Sequence, residues 1–151
     1  MTFMAYPTGV EWTDATWNPI GGCSYASTGC RFCYAALLAG TQQADVPLYA
    51  GTTNRVKGRP VHNGHLTVLP PGHPNWIWPL TWPGAILPRL GLGQPSLIFV
   101  GDMSDLFHER RPIWVIDQVV GTIIASRHIG LLLTKRVDVM AAYFAVDGGC
   151  R

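Results

Sequence analysis

The sequence predicts an α/β fold in which parallel βα repeats form a partial, half TIM-like barrel. Ser96-Leu97-Ile98-Phe99-Val100-Gly101 and Gly130–Thr134 are uninterrupted apolar runs, as expected of strands buried on both faces of a parallel sheet. Each run is followed by a polar segment and then by a helix-periodic one, the signature of βα units. The length, 151 residues, fits a single domain over 1–151 and supplies about half of an eight-stranded barrel, which needs at least about 200 residues.

Val10 to Asn18 alternates loosely, carries Trp12 and Trp17, and is expected to be the first strand. Cys33 to Gln43 is rich in helix formers, and Gly40 limits that helix. An irregular, Gly/Pro-rich insert is expected over about 45–95. Within it, Tyr49 to Gly64 reads as loop and His65 to Leu69 as a short strand closed by Pro70-Pro71-Gly72. Asn75 to Trp82 reads as one or two helical turns limited by Pro79 and Pro83.

The Ser96–Gly101 strand leads into a polar loop, Asp102 to Arg111. Pro112 to Arg127 is the clearest helix: Pro112 suits its first turn, and Ile113, Ile116, Val120, Ile123 and Ile124 recur at helical spacing. Gly130–Thr134 is the next strand, Lys135-Arg136 its polar end, and Val137 to Ala145 a final helix. The expected pattern is β-loop-α, repeated about four times. Loops that follow parallel strands share one edge of the sheet. The cysteine loop, Asp102–Glu109 and Lys135-Arg136 are therefore expected to face one another at the carboxyl edge, where α/β folds place ligands.

Net charge is +2 and charged residues make up 13%. That excludes a uniformly basic nucleic-acid-binding domain and leaves room for a local basic site. A hydrophobic content of 48% supports a packed core rather than disorder. Residues 1–10 show no basic region followed by an apolar run. The most apolar stretch, Ile113 to Leu133, is broken by Asp117, Arg127 and His128, so it reads as helix plus strand and not as a membrane span. The expected location is cytoplasmic, a reducing compartment in which clustered thiols are more often metal ligands than disulfides.

Cys23, Cys30 and Cys33 stand in a C-x6-C-x2-C loop. Three thiols hold three corners of a metal centre and leave one corner open. Thiolate is a soft ligand suited to iron–sulfur clusters and zinc. Cys30 and Cys33 lie at the expected start of a helix, whose amides favour thiolate. Gly22 and Gly29 let the backbone come close to a cluster. Structural zinc wants four ligands; Cys150 is the other cysteine, and His62, His65, His73 and His108 are not at finger-like spacing. Three readings stand at this point: an iron–sulfur site, a zinc site, and cysteines without a metal.

Asp102, Ser104, Asp105, His108 and Glu109 follow the strongest strand and form a polar set able to reach a cofactor or substrate. The plainer alternative is helix capping by Ser104 or Asp105 with a solvated His108. Lys135-Arg136 suits a phosphate or carboxylate contact, or a solvated pair at a strand end. The six tryptophans offer stacking surfaces, but more often such residues anchor a core.

Glu11-Trp12-Thr13-Asp14-Ala15-Thr16-Trp17-Asn18-Pro19, the cysteine loop, Tyr49-Ala50-Gly51, Met103–Glu109 and Leu133-Thr134-Lys135-Arg136 occur in this order. Together they resemble a phage-associated three-Cys-motif family related to radical S-adenosylmethionine proteins. Those enzymes generally use C-x3-C-x2-C with an aromatic before the third cysteine. Cys30-Arg31-Phe32-Cys33 matches the second half of that pattern, and the gap after Cys23 is longer. The resemblance implies a [4Fe–4S] cluster on Cys23, Cys30 and Cys33, with S-adenosylmethionine on the fourth iron. It implies reductive release of a 5′-deoxyadenosyl radical, and a cytoplasmic protein of a bacterial host or a phage. Ser104, Asp105, His108 and Lys135 are the expected cofactor-binding residues. The substrate is unknown, with nucleic acid or a partner protein as candidates. The alternatives are a non-catalytic metal-binding module and an inactive truncated fragment, and a homodimer would cover the open barrel edges.

Overall fold

The computed structural model describes residues 4–5, 7–84 and 95–145. Part of the expected insert, 85–94, and Cys150 lie outside the described residues. The protein is mixed α/β, built on a sheet of four strands in the order β1-β2-β7-β8. These are β1 Met4–Ala5, β2 Ala15–Trp17, β7 Leu97–Val100 and β8 Ile129–Leu132. β2, β7 and β8 run parallel, and β1 pairs antiparallel with β2. No closed barrel is formed among the described residues. The expectation of about four βα repeats is corrected to three parallel strands.

β2 is shorter than the expected Val10–Asn18 strand. A turn from Val10 to Thr13 precedes it, and the side chains of Thr13 and Asp14 take over ladder positions. Asp14 Oδ2 accepts from Leu97 N at 2.7 Å, and Thr13 Oγ1 accepts from Phe99 N at 3.2 Å. The β7 run alternates as a two-faced strand should. Ile98 and Val100 enter the main core with Trp17, while Phe99 meets the Trp12 ring at 4.8 Å.

Helix α3 (Ile113–Ala125) connects β7 to β8, with Pro112 at its N-cap. Val115, Ile116, Val119 and Val120 face the core, whereas Ile113 and Ile124 of the predicted apolar face are exposed. The buried stripe is thus rotated toward Val115 and Val119. Helix α4 (Val137–Ala145) follows β8 at the predicted bounds and lays Val139, Met140 and Tyr143 partly against the core. Among the described residues β8 is the last strand of its sheet, and its Ile129 is exposed.

The short helix α1 (Tyr34–Ala39) stops at Gly40, where a Cβ would stand 2.4 Å from Pro60 Cβ. The reading of 49–64 as loop is corrected: β4 (Thr53–Val56) and β5 (Arg59–His62) form an antiparallel hairpin. Its tip is Lys57-Gly58, with φ of 51° and 79°, the two left-handed residues that a tight hairpin turn needs. The strand expected over His65–Leu69 is β6 (Thr67–Val68), paired antiparallel with β3 (Ile20–Gly21) outside the main sheet. A 3-10 turn at Pro74–Ile77 and helix α2 (Trp78–Thr81) fill the helical stretch expected over Asn75–Trp82. Among the described residues no helix is long and apolar enough to cross a membrane.

Candidate functional site

The cysteine loop leaves β2 through β3, where the backbone is closely enclosed. At Gly21 a Cβ would stand 2.3 Å from the Leu48 carbonyl oxygen, and at Gly22 it would stand 1.9 Å from that of His65. Gly22 also has φ of +75°, a conformation that glycine adopts without strain. The buried guanidinium of Arg111 donates to the carbonyls of Thr67 at 3.0 Å and Gly21 at 3.1 Å. Burial pulls its pKa down to about 10, so it remains a cation at neutral pH. Gly64 N donates to the Cys23 carbonyl at 3.0 Å. These contacts fix the backbone at Cys23. Cys30 closes a 3-10 turn over Thr28–Cys30, and Cys33 is the N-cap residue of α1.

The other two carboxyl-edge loops meet this one. Asp105, after β7, accepts at Oδ1 from Thr134 Oγ1 at 2.7 Å and at Oδ2 from Arg136 Nη1 at 3.0 Å. It thereby ties the β7 loop to the β8 loop. Arg136 spans further: its Nε donates to Glu109 Oε2, its Nη2 to Ser24 Oγ at 2.8 Å, and its Nη1 lies 3.7 Å from Cys23 Sγ. Lys135 Nζ lies 3.6 Å from Cys30 Sγ. Two of the three thiols therefore each carry a cation from the end of β8. On the opposite wall, Tyr34 Oη donates to the Asp102 carbonyl at 2.7 Å, and Asn18 Nδ2 donates to the Asp102 carboxylate.

These parts enclose one cavity of about 620 Å³. Cys23, Cys30, Cys33, Ser104, Asp105 and Lys135 all line it. The expected juxtaposition of the three loops is thus present. His108 stands elsewhere. It is 1% exposed and sits behind the cysteine loop, where Nδ1 accepts from Arg110 N at 3.2 Å and Nε2 meets Ser24 Oγ at 2.8 Å. With Nδ1 accepting, the ring proton is on Nε2 and is donated to Ser24. Burial, and then the nearby Arg136, hold the His108 pKa below its ordinary value, so the ring is neutral. His108 is neither the cofactor contact nor the solvated residue expected; it buttresses the loop. The sequence favoured a solvated Lys135-Arg136 pair over a ligand contact, and gave Ser24 and Tyr34 no role. The position of Arg136 just after an apolar strand was the one available signal.

A family profile described as a protein of unknown function (DUF5131) matches residues 7–149. The chain belongs to that family. No curated protein and no solved structure matches it.

In this DUF5131 chain all three thiols are free and partly buried. Their electrostatics differ. Burial pushes the Cys30 thiol up, but backbone donors at Ala26 and Ser27 and the Lys135 ammonium outweigh it, and the net shift is downward. At Cys23 burial prevails over the attraction of Arg136, and the thiol is raised. Among the described residues no three His, Cys, Asp or Glu side chains converge as ligands of a single ion would. Ser104 lines the cavity, and its Oγ is buried without a hydrogen-bond partner.

Proposed function

We propose that this DUF5131 chain is an iron–sulfur protein of the radical S-adenosylmethionine type. It would correspond to the phage-associated three-Cys-motif proteins, and its β2, β7 and β8 units to an arc of a TIM-like barrel. The observation that carries the reading is the lining of one cavity by Cys23, Cys30 and Cys33 at the carboxyl edge of parallel strands.

The residues fit a [4Fe–4S] cluster. Three thiols line one cavity, and such a cluster takes one thiolate at each corner that the protein holds. Arg136 and Lys135 stand beside two of the sulfurs, where cations offset the charge of bound thiolates. Cys23, Cys30 and Cys33 would hold the cluster, leaving its fourth corner to the amino and carboxylate groups of S-adenosylmethionine. When bound, the cluster supplies one electron for reductive cleavage of the sulfonium.

The protein's own part is orientation and exclusion of water. Lys135 offers a cation for the polar end of the cofactor, with Ser104 on the same cavity wall. Asp105 and His108 act one layer back: Asp105 holds Arg136, and His108 holds Ser24. The reading places the protein in a reducing cytoplasm, with a second copy covering the open sheet edge.

Anaerobic reconstitution with iron and sulfide tests it. The expected result is stoichiometric iron and sulfide with a broad visible absorbance, and 5′-deoxyadenosine formed on adding reductant and S-adenosylmethionine. Failure to assemble a cluster, or an unchanged cluster in Cys30→Ala, overturns the proposal. Stoichiometric zinc without sulfide would establish the metal-binding module instead.

A further inference from the structure

The +2 net charge conceals an uneven distribution. Between Asp14 and Asp102 the chain has a single acid, Asp45, against Arg31, Arg55, Lys57, Arg59 and Arg89. Four of these cations are described, and all four are exposed. Arg55, Lys57 and Arg59 surround the tip of the β4–β5 hairpin, and Arg31 lies in the turn between Cys30 and Cys33. None of the four makes an ion pair with a described residue. The Arg59 guanidinium instead lies over the Phe32 ring, 4.8 Å from its centroid. Phe32 is nonetheless 70% exposed and Tyr25 64%.

This basic, aromatic surface is continuous with the cavity. Arg31 and Tyr25 line the cavity from the cysteine loop, and Val61 and His62 of β5 line it from the hairpin. Pro60 packs on Gly40 at the end of α1, which fixes the hairpin against the cysteine-bearing segment.

We propose that the hairpin and the Arg31-Phe32 turn form a docking surface for single-stranded nucleic acid. Phosphates lie on Arg31, Arg55, Lys57 and Arg59, and an unpaired base stacks at Phe32 beside the cavity mouth. Unpaired cations spaced along a hairpin match a phosphate backbone. Exposed aromatic faces are what unstacked bases bind, and a duplex keeps its bases stacked within itself. As a substrate class this deepens the reading above, because a strand held here would present a base to the cysteine cavity. The surface itself requires no cluster.

The test uses the metal-free full chain and a fluorescein-labelled 15-nucleotide oligothymidylate, followed by fluorescence anisotropy across a salt series. Arg55→Ala/Lys57→Asn/Arg59→Ala removes three charges at exposed positions, and Asn accepts the left-handed backbone at residue 57. The expected loss is about tenfold or more in affinity, with the log–log salt slope smaller by about 2. Phe32→Ala is expected to weaken binding by about fivefold or more. A duplex of the same length should bind more weakly than the strand. Each variant is compared only if its thermal unfolding midpoint matches the parent's. No binding, binding unaffected by the triple substitution, or equal binding of polyglutamate overturns the proposal. Because the protein is metal-free, strand binding without cluster assembly would sink the iron–sulfur reading alone, and a cluster without strand binding would sink this one alone.

Discussion

Arg136 donates to Asp105 across 3.0 Å, and each side chain is only 8% exposed. This pair joins the loop after β7 to the loop after β8 and brings a cation to Cys23. Replacing Arg136 by Gln leaves the Asp105 carboxylate buried without its charged partner. The expected loss of unfolding free energy is about 3 kcal/mol or more, measured by urea denaturation. Arg136→Lys should recover only part of it, because one ammonium cannot reach Asp105, Glu109 and Ser24 together. A loss below about 1 kcal/mol in the Gln variant would show that the remaining donors to Asp105 suffice.

Gly22→Ala should disable the cysteine loop at its root. The new methyl meets the His65 carbonyl oxygen at 1.9 Å, and φ is +75°. The strain of the backbone alone is about 1–3 kcal/mol, so a lower unfolding midpoint is expected together with weaker iron retention after reconstitution. Gly51→Ala is the control. Its φ is +72° but nothing lies within 4 Å of the added atom. Equal destabilisation by the two substitutions would show that crowding at Gly22 adds nothing.

The three thiols should not react alike. Cys30 is pulled toward thiolate by Ala26, Ser27 and Lys135, while Cys23 is held back by burial. Iodoacetamide at pH 7.5, quenched over time and mapped by mass spectrometry, should label Cys30 well before Cys23. Lys135→Met should slow Cys30 and leave Cys23 unaffected. Faster labelling of Cys23 would contradict the assigned environments.

His108 makes stability depend on pH. Its folded pKa lies below the ordinary value, so the unfolded chain binds the proton more tightly, near pH 6.5. Stability from this group is present above about 6.5 and falls as the pH drops below it. His62, also depressed by burial, acts in the same direction. Unfolding free energies of the metal-free protein between pH 7.5 and 5.5 should decline, and His108→Gln should flatten the decline. An unchanged slope would mean that His108 takes its proton as readily inside the fold as outside.

The parts of the fold legible in the sequence are those whose own residues declare them. β7, β8 and α3 are apolar runs or stripes, and the rule that parallel strands share a carboxyl edge correctly gathered Cys23, Asp105 and Lys135 into one cavity. The β4–β5 hairpin was hidden because β4 has no buried residue and its turn is Lys57-Gly58 rather than Asn-Gly. β3 is only two residues, too short to carry a period, whereas β6, equally short, was marked by the Pro70-Pro71-Gly72 turn that closes it. Arg136, Ser24 and Tyr34 escaped for another reason. Their partners lie as far as 113 residues away in the chain, so local pattern holds no trace of the contact.

The sheet offers its two borders unequally. At β1 a newcomer would find two residues running against the parallel strands; at β8 it would find four running with them. Growth of this sheet, by a second molecule or by more chain, is therefore directional. Any parallel strand added at β8 would deliver its own trailing loop beside Lys135 and Arg136. The cavity would gain its next wall on the side where the two cations already stand.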